Sequence, residues 1–247
     1  MNKILSVIAF AIILMMALPL SAQTNVFMNF AGAFPSGEFA DGDDSSFGLI
    51  TNDSEGGAGL GFNAGLKINV PVSVKGLSVM ISLDGIYNGL NSELKEYFED
   101  YVDTHESNYD EYIFKKPQYI NVPVMAGLNY TYRFNDQIGL FAEAGLGPNL
   151  RIITKMEEYK ETATYKTEDT RQYDPKISLA YQFGGGLEFN RRFIVGLSFY
   201  NLGSSKVKGK DIEKIKYKAG SSNTDTDKFS LKRVQPTILL LRLGFKL

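Results

Sequence analysis

Apolar and polar residues alternate with period two along most of the chain beyond residue 23. The clearest case is YINVPVMAGLNYTYRF, residues 119–134. Ile120, Val122, Val124, Ala126, Leu128, Tyr130, Tyr132 and Phe134 fall on one side, and Asn121, Gly127, Asn129, Thr131 and Arg133 on the other. This is the signature of a strand with one apolar face. Eight such strands are predicted, at about 24–34, 57–71, 77–91, 117–134, 138–154, 176–190, 193–206 and 235–247. The last, QPTILLLRLGFKL, sets Leu239, Leu241, Leu243, Phe245 and Leu247 against Arg242, Gly244 and Lys246.

The connections alternate too. Those after the second, fourth and sixth strands are short, around SVKG, NDQ and RR, whereas the others run to about twenty residues or more. Short turns at one end and long loops at the other describe an up-and-down barrel with an even number of strands. A soluble lipocalin-like barrel would share the alternation. The composition of the polar face separates the two. A face exposed to water should be dense in Lys, Glu and Asp, but this one is mostly Gly, Asn, Ser and Ala. Its few charges are of both signs: Lys67, Asp84, Arg133, Glu143, Glu188 and Arg242. Such a face suits a narrow lumen, which leaves the apolar face to lipid. The expected fold class is therefore all-β, an eight-stranded antiparallel up-and-down transmembrane β-barrel in the outer membrane of a Gram-negative bacterium. Short turns and both termini would be periplasmic and the long loops extracellular.

The first residues stand apart from this pattern. Lys3, an uncharged apolar run at 4–18 and the small residues Ser21 and Ala22 have the layout of a secretory signal peptide. The run is fifteen residues long, short of a spanning helix. The expected division is a signal peptide at 1–22 and a barrel at 23–247. The chain has no cysteine, which removes thiol catalysis and cysteine-ligated metals, and its net charge of −2 gives no basic excess for nucleic acid.

The leader ending at Ala22 and Gln23, the YINVPVMAGL strand with its embedded proline, the following GLFAEAGLGPNL and the GGGLEF hairpin resemble the PorT-like outer-membrane β-barrel family of Bacteroidota. The resemblance covers essentially the whole mature chain. It implies an eight-stranded outer-membrane barrel. The family's namesake is linked to a protein secretion system, which implies an envelope or secretion-complex protein as a partner besides outer-membrane lipid.

Candidate chemistry is sparse. Eight strands enclose a space that side chains fill. The lumen glycines, among them Gly59, Gly65, Gly127, Gly145, Gly147 and Gly184, either leave a cavity or make room for large side chains from the far wall. Lys67, Asp84, Arg133, Glu143, Glu188 and Arg242 form a candidate lumen polar network. Within it, Arg133 or Arg242 paired with Glu143 or Glu188 would make an ionic plug, since an unpaired buried charge is costly. His105, the single histidine, lies in an acidic loop, and no catalytic partner is identifiable for it. DGDDSS, at 41–46, lacks the spaced ligands of a calcium loop. No catalytic residue, cofactor or metal is expected.

The loops carry more information. Loop 92–116 is acidic, and Leu94, Tyr97, Phe98, Tyr101 and Val102 follow helical spacing. Loop 206–233 holds nine Lys or Arg against four Asp or Glu. The two loops either attract one another into a cap or stand as separate solvated loops. Segments such as IEKIKYK and parts of KMEEYKETATYKTED still alternate, so hairpins should project between the fifth and sixth strands and between the seventh and eighth. Pro123, Pro148 and Pro236 are expected at the outer rim, where ladder bonds are missing. The leading function is a non-enzymatic structural or interaction barrel presenting its loops to a partner or envelope complex. The alternative is small-solute or hydrophobic-ligand transport through a partly open, glycine-lined lumen.

Overall fold

The computed structural model describes residues 24–42 and 56–247; the predicted signal peptide and most of the DGDDSS segment lie outside the described residues. Among the described residues, eight strands close into an antiparallel barrel: β1 (Asn25–Ser36), β2 (Ala58–Pro71), β3 (Leu77–Leu90), β5 (Tyr119–Arg133), β6 (Ile138–Ile153), β9 (Lys176–Phe189), β10 (Phe193–Asn201) and β13 (Thr237–Lys246). Around the barrel the order is β1-β13-β10-β9-β6-β5-β3-β2, each strand beside its sequence neighbours of the barrel set. Closure pairs the first strand with the last, Phe27 with Lys246 through Ser36 with Thr237. No sheet edge is left within the barrel, so each strand has a ladder partner on both sides, as hydrocarbon demands.

The alternation resolves as predicted. Leu128, Leu179 and Leu243 point outward, at 54%, 73% and 58% exposure, while Asn129, Ala180 and Arg242 beside them are buried. A continuous apolar belt of this kind on all strands is the surface a barrel offers to lipid. Tyr132 and Phe134, in edge contact at 5.2 Å, and the stacked Phe193 and Phe245 end the belt as an aromatic girdle at the short-turn end.

Local sequence sets these turns. Asn190 and Arg191 both take positive φ (52° and 57°) in the three-residue turn between β9 and β10, which the Arg192 amide closes by donating to the Phe189 carbonyl at 2.9 Å. Between β5 and β6 the Asn135 side chain accepts the amides of Gln137 and Ile138, both at 2.8 Å.

The prolines divide. Pro236 falls in the break between β12 (Ser222–Val234) and β13, at the rim. Pro123 and Pro148 lie inside strands, where the ladders lapse without a change of register. Pairing of β3 with β5 skips from Leu83–Val124 to Ile86–Asn121, and that of β5 with β6 from Pro123–Asn149 to Ala126–Leu146. A proline has no amide to donate; the Pro123 ring is buried in the lumen, whereas Pro148 is exposed on the outer face.

Beyond the opposite end stands a second sheet of five strands, in the order β12-β11-β8-β7-β4. It consists of β4 (Glu111–Lys115), β7 (Met156–Glu161), β8 (Tyr165–Tyr173), β11 (Ser205–Tyr217) and β12. Each of its strands runs, after a break of a few residues, into a barrel strand: β4 into β5, β6 into β7, β8 into β9, β10 into β11 and β12 into β13. The upper sheet therefore repeats the order of the five barrel strands beneath it and continues the barrel as a half-wall. The two predicted hairpins are its centre and one flank.

Helix α1 (Ser92–Glu106) fills the inner side near β4. Asn91 caps it, accepting the Leu94 amide at 2.9 Å while its own amide group donates to Ala40 and Gly42. The predicted apolar stripe faces inward, burying Leu94 and Phe98. Gly57, at φ +58°, lies under Leu94 so closely that a Cβ would sit 1.9 Å from its Cδ1, so only glycine fits there.

Candidate functional site

The lumen is filled by side chains from mid-height to the wall end. At mid-height the Glu143 carboxylate is shared by two cations. Its Oε2 accepts from Lys67 Nζ at 2.7 Å and its Oε1 from Arg242 Nη1 at 2.6 Å. Arg242 Nη2 also donates to the Tyr200 hydroxyl (2.8 Å), which donates to Asp84 Oδ2 (3.0 Å), and Asn63 Nδ2 donates to Asp84 Oδ1 (3.2 Å). Two cations and two carboxylates balance, and all four side chains are buried. The rings of Phe27 and Phe141 flank the Lys67 ammonium at 5.5 and 5.0 Å.

Towards the wall, this layer is overlaid by an apolar core of Ile86, Met125, Ile238, Leu240, Phe39 and Tyr119, which runs on under α1 to Leu94 and Phe98. Phe39 meets Tyr119 edge-on at 5.0 Å, and the Tyr119 hydroxyl donates to the Gly56 carbonyl. The glycines serve this filling. A Cβ on Gly145 would meet Met80 Cε at 3.2 Å, and one on Gly65 would meet Asp84 Oδ1 at 2.2 Å.

The six sequence candidates thus separate into two groups. Lys67, Asp84, Glu143 and Arg242 share one network, with Asp84 joined through Tyr200. Arg133 and Glu188 form their own pair, 2.7 Å apart, at the short-turn end, beside a polar recess of about 390 Å³ lined also by Asn69 and Asn129. Strand parity places Tyr200 in the lumen with Ser198, so the alternation alone could have found it. Arg151 was also missed. From β6 it donates to the carbonyl oxygens of Val234 (2.9 Å) and Ser205 (3.0 Å), and so clamps the points where β12 and β11 leave the barrel.

His105 lies in the last turn of α1, where its Nδ1 donates to the Tyr101 carbonyl at 2.7 Å and its ring lies 4.1 Å from that of Tyr101. Among the described residues no group of His, Cys, Asp and Glu side chains has the makings of a metal site.

The acidic and basic loops neither pair directly nor stand apart. β4 and β11 are separated by the β7–β8 hairpin, and that hairpin supplies the counter-charges to both sides. Glu157 takes Lys115 at 2.8 Å, Glu168 takes Lys214 at 3.3 Å, and Glu161 takes Lys218 at 3.2 Å. Sheet order, set by the barrel strands below, decides which charges meet.

The inner face of the wall is acidic, with Asp169, Asp211, Glu213, Asp225 and Asp227 bordering a groove of about 370 Å³ floored by Phe114 and Met156. Arg171 holds Asp211 through two 2.7 Å bonds and lies 4.8 Å over the Phe229 ring. Burial pushes the Asp169 carboxyl up, and the neighbouring Glu158 and Glu213 add to the shift. Glu158 accepts the hydroxyls of Tyr112 (2.6 Å) and Tyr101 (3.2 Å) and tethers α1 to β4 and β7. Burial first, and then that bond, push the Tyr112 hydroxyl well above its ordinary range.

The hairpin also makes a pH prediction. Glu161 accepts from Lys166 at 2.5 Å and from the Tyr159 hydroxyl at 2.7 Å, bonds that hold its carboxyl down at about 2. A carboxylate depressed by folding contributes its full stabilisation above the unfolded value and loses it as pH falls through the folded one. The Glu161 contacts should therefore persist at pH 4 and yield as the pH approaches about 2. The carbon NMR shift of this carboxyl reads the midpoint, and titration near the ordinary glutamate value of about 4.3 would show that the bonds do not form.

The model of a family described as an outer membrane protein beta-barrel domain matches residues 22–206, well over half of the chain. No curated protein sequence matches it. Solved structures similar to it include Ail, the attachment invasion locus protein of Yersinia pestis, at 13% identity over 91% of this chain and 97% of that one, with a TM-score of 0.38. Neisserial surface protein A is 9% identical over 92% and 98%, with a TM-score of 0.42. A major outer membrane protein of Thermus thermophilus is 7% identical over 91% and 99%, with a TM-score of 0.44. With its closed barrel, lipid-facing belt and family match, the chain belongs to the outer membrane protein beta-barrel domain family.

Proposed function

We propose that this outer-membrane barrel is a non-enzymatic interaction protein that holds its half-wall outside the cell and its termini in the periplasm. The observation that carries the reading is the free edge of the wall. β12 is thirteen residues long, pairs among the described residues only with β11, and exposes every residue from 222 to 228. An open strand edge offers unpaired amides and carbonyls to an incoming strand. Charges on such an edge select among partners, and here Asp225 and Asp227 disfavour a second copy of β12 and favour a strand with cations at alternate positions. The PorT-like resemblance points to a component of an envelope complex as the source of that strand. The transport alternative loses support from the filled lumen, in which the charged layer and the apolar core lie in series.

Because the chain has no cysteine, a single Thr226→Cys variant reports orientation cleanly. A membrane-impermeant maleimide should label it in intact cells, and a wall held in the periplasm would stay unlabelled. A photo-crosslinking residue at Thr224 should yield one recurrent adduct in native membranes. Thr226→Pro should abolish that adduct, because the Thr226 amide is held by Asp225 Oδ1 at 2.8 Å and proline there spoils the edge with little harm to the sheet. An adduct pattern unchanged by the proline would exclude strand addition.

A further inference from the structure

Strand alternation polarises the wall. On β11 the odd residues Val207, Asp211 and Glu213 face inward, Val207 into the apolar core and Asp211 towards Arg171. The even residues Lys206, Lys208, Lys210, Lys214 and Lys216 face outward. Across the ladder Lys210 lies directly opposite Lys228, and Lys206 opposite Arg233. Like charges at directly paired positions destabilise a sheet, so these pairings cost stability unless an anion lies over them. Further out, Lys214 and Lys218 are held by Glu168 and Glu161. Lys206, Lys208, Lys210, Lys228 and Arg233 are exposed, and among the described residues none of the five has a carboxylate within salt-bridge distance. One carboxylate, Asp174, borders the patch, and it lies 4.0 Å from Lys176.

The location narrows the choice of anion. β11 begins four residues after β10 ends, and the outward face of the wall continues the side on which β9, β10 and β13 carry Leu179, Leu197 and Leu239. The patch therefore stands directly above the lipid-facing belt and looks sideways, along the membrane surface. Lys206 to Lys210 spans about 13 Å at ~3.3 Å per residue, so the patch starts at the rim of the belt and crosses a head-group layer of roughly 5–8 Å rather than sitting at a distant loop tip.

We propose that Lys206, Lys208, Lys210, Lys228 and Arg233 bind the phosphate groups of a phosphorylated glycolipid in the leaflet around the wall. The inference rests on the orientation given above, with the wall outside the cell. Ammonium and guanidinium groups spaced two residues along a strand and one strand apart match phosphates carried on a sugar framework. A bound lipid would offset the repulsion between Lys210 and Lys228 and hold the wall upright beside the barrel.

The test uses the full-length barrel folded in neutral detergent, with bis-phosphorylated lipid A and its dephosphorylated form as probes in native mass spectrometry titrations. The wild type should bind the phosphorylated lipid at least about tenfold more tightly. Lys206→Ser/Lys208→Ser/Lys210→Ser should remove that preference while the heat-dependent gel shift of the folded barrel persists. The single variant Lys228→Glu should weaken binding in the same direction, which guards against a misfolded triple variant. Equal binding of the two lipids, or unchanged preference in both variants, overturns the proposal. So does tighter, lysine-dependent binding of soluble heparin than of lipid A, which would make the partner a soluble polyanion. Failure of the orientation is distinguishable, because the detergent titration does not depend on it. An unlabelled Thr226→Cys in intact cells would overturn the occupant named here even where the titration succeeds.

Discussion

Glu143→Ala is expected to destabilise the barrel by about 3–5 kcal/mol, the usual consequence of removing one member of a buried ionic group. The size follows from geometry. Both carboxylate oxygens are in use, at 2.7 Å from Lys67 and 2.6 Å from Arg242, and neither cation has solvent in reach. Truncation leaves two like charges facing each other across an emptied site. Lys67→Met should cost clearly less, because Glu143 keeps Arg242, and the added apolar stem packs between Phe27 and Phe141. The comparison can be made by urea titration of barrels refolded into vesicles, with the heat-dependent gel shift reporting the folded fraction. A Glu143→Ala loss below about 1 kcal/mol, or a larger loss for Lys67→Met, would mean that the charged layer is hydrated rather than sealed.

Phe98→Ala is expected to cost the α1 region about 3–5 kcal/mol while the barrel keeps its stability. Phe98 is 4% exposed, lies 4.9 Å from the Phe114 ring and meets Tyr97 edge-on at 6.0 Å. It is the main apolar link between α1 and the wall, as Leu94 is between α1 and the barrel mouth. Loss of the ring removes one of the two buried apolar side chains of a helix of fifteen residues, which is marginal without packing. Hydrogen exchange should accelerate across α1 and β4 and leave β6, β9 and β13 protected. Unchanged exchange in α1, or loss of protection in the barrel as well, would show that the helix is not a separable lid.

These two sites also mark what was legible in the sequence. Glu143, Lys67 and Arg242 stand out because a barrel strand alternates strictly, so a charge on the polar side of a lipid-facing strand must point into the lumen. The helix in loop 92–116 was legible for the same kind of reason, since Leu94, Tyr97, Phe98 and Tyr101 repeat with a helical period. Tyr200 and Arg151 obey the same parity rule, but Tyr200 carries no charge to mark it and Arg151 lies near the end of its strand, where the alternation fades. The separation of Arg133 and Glu188 from the other charges was not legible, because height in a tilted strand depends on register with its neighbours.

The sequence by itself determined the eight barrel strands, their inward and outward faces, the short-turn end and the α1 stripe, because each is enforced locally by lipid on one side and packing on the other. Only the tertiary structure decided that three separate loops build one sheet. Pairing between β4 and β7, and between β8 and β11, joins residues far apart in the chain, and their order is inherited from the closed barrel below. That inheritance places the acidic hairpin between the acidic and basic loops, and it turns the alternating lysines of β11 outward, above the belt that meets lipid.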